Sequence, residues 1–169
     1  MVQIKKQLQK LDKDKLIDLI SELYKKDKFV KEFLSFQINQ DEKGLFEKYR
    51  NKVYEAYFPK RGYKLKLREA KQAISEFKKF NPPVQLVADL MLFYVETGVK
   101  FSNEFGDIDE KFYLSLANTY NAALKFIQKE NLLESFADRA GCIVSDSSHF
   151  GWGFHDDLRD IYDEFYVGK

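Results

Sequence analysis

Asn81-Pro82-Pro83-Val84-Gln85-Leu86-Val87-Ala88-Asp89-Leu90-Met91-Leu92-Phe93-Tyr94-Val95-Glu96 contains the most apolar stretch of the chain. The two prolines lack the N–H that a continuing helix needs, and their fixed φ suits a first helical turn. They therefore break one element and open the next. From Val84 to Val95 ten of twelve residues are apolar, all but Gln85 and Asp89. A helix that is apolar all round must be surrounded by other elements, so the pattern predicts a central helix here. The run is about half the ~20 residues that span a bilayer and carries an aspartate, so no membrane association is expected.

Amphipathic stripes at helical spacing lie on both sides of this stretch. Upstream are Leu16, Ile20 and Leu23, with Asp12 as N-cap, then Phe29, Phe33 and Phe36. Phe46, Tyr49, Val53 and Tyr57 follow, then Leu67, Ala70, Ile74 and Phe77. Between the last two, Phe58-Pro59-Lys60-Arg61-Gly62 ends a helix, because Pro59 restricts its predecessor and Gly62 permits a turn. Downstream, Gly98 to Asp109 reads as a turn or a bent continuation. Phe112, Leu116, Tyr120, Ala123 and Ile127 form the next stripe, then Leu133, Phe136, Ala140 and Val144. Ser145 to Gly153 reads as a polar loop, and Leu158, Ile161 and Phe165 as a last helix. Only Tyr63 to Leu67 alternates like a strand, and it has no evident partner. The expectation is an all-α fold: a compact irregular bundle of seven to nine helices, without significant sheet, forming one domain over residues 1–169.

The chain is 44% hydrophobic and 33% charged, a globular balance. Cys142 is the only cysteine, which excludes an intrachain disulfide and a cysteine metal knuckle. Its helical position suggests a buried structural thiol. The opening Met1 to Lys10 has no apolar stretch of signal-peptide type, so a cytoplasmic location is expected.

A net charge of +1 conceals a division. Residues 1–80 hold 21 Lys+Arg and 12 Asp+Glu, a basic half of +9. Residues 81–169 hold 7 and 15, an acidic half of −8. Either the basic half attracts an acidic partner, or the halves fold against each other and their fields partly cancel.

Three constellations could carry function. The first is the basic patch Lys60, Arg61, Tyr63, Lys64, Lys66, Arg68 and Lys71, opposed by one acid, Glu69. Interleaved cations and aromatics suit phosphate contacts with base stacking, and equally a solvated loop over core rings. The second is Ser145 to Leu158, which holds both histidines, His149 and His155, with Asp146 and Asp156, and the only tryptophan, Trp152. Imidazoles and carboxylates together suit a divalent metal. The bland alternative is a helix cap from His155 or Asp156, with Trp152 plugging the core between two glycines. Metal-dependent phosphohydrolases built on a His-Asp pair need a far-upstream histidine and a far-downstream aspartate. Only 13 residues follow Asp156. The third is Asp89 with Glu96, two helical turns and about 10.5 Å apart. They could join a metal site facing the histidine loop, or pair with Arg68, Arg139 or Arg159. No phosphate loop, dinucleotide fingerprint, nucleophile elbow or His-Glu-x-x-His is present.

Phe58-Pro-Lys-Arg-Gly62, Ala88 to Glu96, Asn103 to Asp109 and Gly151-Trp-Gly-Phe-His-Asp156 together resemble a family of uncharacterised bacterial proteins, over nearly the whole chain. The resemblance implies an all-helical stand-alone protein and supplies no activity, substrate or catalytic residue. From the charge asymmetry and the missing catalytic signatures, the expected function is a non-enzymatic interaction module whose basic half meets an acidic partner: protein, nucleic acid or a second copy. No cofactor is expected. The alternative is a metal-dependent hydrolase-like enzyme around His149, His155 and Asp156, with a divalent ion.

Overall fold

A computed structural model describes residues 2–62 and 64–167. Among these residues the chain forms nine α-helices and no strand. It divides into two compact units, one up to Glu42 and one from Lys43 onward.

The first unit contains α1 (Val2–Leu8), α2 (Lys13–Lys26) and α3 (Lys28–Asn39), with α2 and α3 packed together. Asp12 caps α2, its carboxylate accepting the Lys15 N–H at 2.8 Å. Asp27 serves two helices. Its N–H closes α2 on the Leu23 carbonyl, and its carboxylate accepts the Val30 N–H at 2.9 Å to start α3. One residue thus satisfies orphan groups at both ends of a sharp corner. Neither α2 nor α3 has a buried residue.

The second unit is built around α6 (Val84–Phe105), against which α5 (Leu67–Lys78), α7 (Glu110–Lys129) and α8 (Leu133–Asp146) pack. Helix α9 (Phe154–Tyr166) lies on α7 and α8, and α4 (Glu42–Tyr57) leads into the connection to α5. The centre predicted for Val84 to Val95 is where it was expected. Leu90, Leu92, Tyr94 and Val95 have no exposed surface. The aromatics fill the interior. Phe77 touches Tyr49 and Phe46, while Tyr57 contacts Tyr94, Phe101 and Phe112 edge to face or tilted. Each such ring taken from water contributes roughly 1.5–3 kcal/mol. Two tyrosine hydroxyls are satisfied inside: Tyr120 donates to the Ala140 carbonyl at 3.0 Å, and Tyr94 shares 2.8 Å with Ser115.

Of the two readings of Gly98 to Asp109, a turn or a bent continuation, the structure has the continuation as far as Phe105: α6 runs through Gly98 and ends at Gly106, whose φ is +85°. Gly98 is a packing residue; a Cβ there would collide with the Leu116 side chain of α7. Three other sequence expectations are corrected. The described part of Tyr63 to Leu67 is not a strand: the Lys66 N–H returns to the Ala56 carbonyl at 2.9 Å, and α5 begins at Leu67. Cys142 is exposed. Trp152 is no core plug, since 60% of its surface is exposed.

The charge division also looks different in space. The +9 half contributes 12 Lys+Arg and 4 Asp+Glu from residues 43–80, and these lie in the same unit as the −8 half. Residues 43–169 carry 19 charges of each sign. Much of the asymmetry is therefore internal to one folded unit.

Candidate functional site

Helix α4 ends at Tyr57, and the connection through Phe58 to Lys66 folds back on it through the Lys66 to Ala56 hydrogen bond. Gly62, at φ +77°, makes the reversal possible. Pro59 stands between two hollows. One is a polar cleft of about 540 Å³, lined by Lys52, Lys60, Arg61 and Lys66 with Glu55, Glu69 and Glu76. The other is an apolar hollow of about 340 Å³, walled by Tyr57, Phe58, Phe101, Phe105 and Ile108.

Of the predicted basic patch, Lys60, Arg61 and Lys66 line the polar cleft, while Lys64, Arg68 and Lys71 do not. Tyr63 lies outside the described residues. Lys60 meets Glu55 at 2.7 Å, Lys66 meets Glu69 at 3.1 Å, and Lys52 meets Glu76 at 3.1 Å. The hydrogen bond and charge of Glu55 raise the Lys60 pKa above its ordinary value. Lys71 stands 5.9 Å from the Tyr94 ring, and partial burial lowers its ammonium pKa. Arg61, Lys64 and Arg68 are exposed and have no ion pair among the described residues. The cleft therefore alternates signs, with its uncompensated charge at Arg61; exposed Lys64, outside the lining, extends this cationic segment along the chain, and the two make up the Arg61–Lys64 rim.

The apolar hollow was not legible as a site. Phe58 stacks on Tyr54 at 4.9 Å and meets Phe101 at 5.5 Å and Phe105 at 6.2 Å. Lys100 reaches over Phe58 at 5.6 Å. Phe101 and Phe105 are one helical turn apart, a spacing that puts both rings on one face. Leaving Gly98 to Asp109 open between a turn and a bent continuation hides that signal.

The second region joins α8 to α9. The hydroxyl of buried Ser147 donates to the Val144 carbonyl at 2.7 Å. His155 Nδ1 is 3.1 Å from the same carbonyl and 3.2 Å from Ser147 Oγ. His155 is thus oriented by the end of α8, and no side chain caps α9, whose N-cap is Gly153. His149 is exposed against Phe150, Asp146 is exposed, and Asp156 pairs with Arg159 at 2.7 Å. Phe150 and Phe154 turn toward Tyr113, whose hydroxyl donates to Asp107 at 2.8 Å. Trp152 instead points away from the core, at φ +63°, a conformation uncommon for a non-glycine residue.

Asp89 and Glu96 face neither histidine. Both hold Arg139, which meets Glu96 through Nε at 2.6 Å and Nη2 at 2.9 Å, and Asp89 through Nη1 at 3.0 Å. Burial works against the guanidinium's charge, yet the two carboxylates outweigh it and raise the Arg139 pKa. Of the three arginines considered for this role, the fold selects Arg139. The six residues Asp146, His149, His155, Asp156, Asp89 and Glu96 are thus divided between separate partners. Among the described residues, no three His, Cys, Asp or Glu side chains gather to hold a metal ion.

The sequence model of a family described as a family of unknown function, DUF6155, matches residues 2–166. This chain belongs to that family. No curated protein and no solved structure matches it. Family membership covers both hollows and the Trp152 loop, but brings no activity to them. Among the described residues, no helix is long and apolar enough to cross a membrane.

Proposed function

We propose that the chain is a non-enzymatic helical interaction module of the cytoplasm, and that the rim of Arg61 and Lys64 meets an acidic protein surface. The observation that carries this reading is exposed Arg61, which has no ion pair among the described residues and lines an open cleft that shares Pro59 with the aromatic hollow; exposed Lys64, likewise without an ion pair among those residues, follows three positions on. An acidic protein suits the site better than nucleic acid. Glu55, Glu69 and Glu76 interrupt the cations and break the continuous positive track that a regularly charged phosphate backbone needs, whereas isolated cations beside an apolar hollow suit the polar rim and apolar core of a protein interface.

The test measures binding of the purified protein to a fluorescent Glu-Tyr copolymer and to duplex DNA of similar charge, over a range of salt. Copolymer affinity should fall as salt rises, and about tenfold in an Arg61→Glu/Lys64→Glu variant, from a few screened charge contacts. Duplex DNA should bind more weakly than the copolymer. Equal copolymer affinity in wild type and variant would remove this rim as the site.

A further inference from the structure

The aromatic hollow and the tryptophan loop are neighbours on the second unit. Ile108 lines the hollow, and the adjacent Asp107 lies 3.5 Å from the Gly151 N–H it accepts. A Cβ on Gly151 would sit 3.1 Å from the Asp107 carboxylate, so this side of the loop is close-packed. The surface therefore presents, side by side, an unfilled apolar hollow and an outward-held indole. Phe105 and Trp152 are each 60% exposed.

Single exposed apolar residues are ordinary, but Trp152 differs in two ways. Its backbone is in the left-handed region, where glycine would be at ease, so the loop keeps a large ring outward at a conformational cost. Its aromatic neighbours in the loop, Phe150 and Phe154, turn inward to Tyr113. The charges near the two features are opposite. Exposed Arg61 adjoins Gly62 of the hollow's wall and lines the neighbouring cleft, with exposed Lys64 three residues on, whereas α9, which follows the loop, holds five Asp or Glu and one Arg. Two adjacent, mutually complementary patches on one surface meet the condition for an isologous two-fold contact, in which each copy gives and receives.

We infer that Trp152 of one copy fills the Phe58–Phe101–Phe105 hollow of a second copy, reciprocally, with α9 of each copy facing the partner's Arg61–Lys64 rim. This deepens the reading given under Proposed function and rests on it for the charge contacts: the acidic surface is a second copy of the chain. The hollow, at about 340 Å³, lies at the small end of ligand-site volumes and suits one large side chain. Tryptophan anchors seated in such hollows commonly carry most of an interface's energy.

Trp152 is the sole tryptophan, so its emission reports its surroundings directly. The experiment follows the full chain by sedimentation and tryptophan fluorescence over about a hundredfold range of concentration, with low and high salt. Wild type should pass from monomer to dimer as its emission shifts to the blue. Phe105→Ser should lower the association constant at least about tenfold and keep the emission water-like throughout. Trp152→Gly, which suits the local φ, should abolish the dimer while the circular dichroism remains helical. A monomer at every concentration overturns the inference, and copolymer binding retained in that monomer leaves the acidic-partner reading standing. A blue-shifted emission in a chain that sediments as a monomer also overturns it, by placing the indole in its own chain. A dimer lost in Phe105→Ser and Trp152→Gly, but indifferent to salt and to Arg61→Glu/Lys64→Glu, sustains the aromatic docking and refutes the charge reading.

Discussion

Replacing Arg139 by methionine tests the architecture of the second unit most directly. Its guanidinium makes a two-point contact with Glu96 and a third bond with Asp89, and Nη2 also donates to the Asp89 carbonyl at 3.3 Å. Methionine keeps the apolar stem and removes every donor. Breaking a fully buried ion pair costs about 3–5 kcal/mol, because the surviving charge is stranded. An exposed pair is worth about 0–1 kcal/mol. Here the three side chains are 29%, 32% and 36% exposed, so water partly screens the stranded carboxylates. A loss of about 2 kcal/mol follows, from the middle of those limits. Urea unfolding followed by far-ultraviolet circular dichroism measures it, fitted with separate transitions for the two units, since a single two-state fit does not apply. Arg139→Lys should recover only part, because an ammonium cannot engage both Glu96 oxygens in one plane. Adding Asp89→Asn and Glu96→Gln to Arg139→Met should restore stability toward wild type, as no charge is then stranded. A loss below about 0.5 kcal/mol for Arg139→Met, the size of an ordinary surface change, would refute the argument.

Three other outcomes are expected. Gly98→Ala gains about 1 kcal/mol of helix propensity but drives a Cβ into fully buried Leu116, an overpacking cost of about 1–3 kcal/mol. It should lower stability by about 1 kcal/mol, and a cycle with Leu116→Ala should show strong coupling; additive effects would rule out the clash. At high pH, burial raises the pKa of Tyr57, Tyr94 and Tyr120, and lifts Tyr166 to about 12, from an ordinary 10.0. A raised folded-state pKa gives stability that is present below pH 10 and lost as pH climbs toward the folded value. Phenolate absorbance should therefore rise in two sets, the second together with loss of helix; all ten tyrosines titrating near pH 10 in the folded protein would contradict this. His155→Ala should cost about 1 kcal/mol through its lost bond at the Val144 carbonyl. A chelator should not move the melting temperature of wild type, and a chelator-dependent fall would bring His149, His155 and Asp156 back as metal ligands.

Local sequence pattern alone accounts for the helical class, the central position of Val84 to Val95, the cap at Asp12, and the breaks at Pro59 and Pro82–Pro83. Those features depend on residues a few positions apart: the 3.6-residue period, an N-cap carboxylate reaching the third N–H, and a ring that removes a donor. The tertiary structure decided the rest, because each remaining feature depends on what another segment places opposite. Gly98 is a packing residue only because Leu116 of α7 lies over it. Arg139 was one of three possible partners for Asp89 and Glu96 until α8 was laid beside α6. Phe58, Phe101 and Phe105 form a hollow only where the α4–α5 connection meets the end of α6. Trp152 has the composition of a core residue. It faces outward because Phe150 and Phe154, on either side, take the inward positions against Tyr113, and alternation around a left-handed turn leaves the indole no place inside.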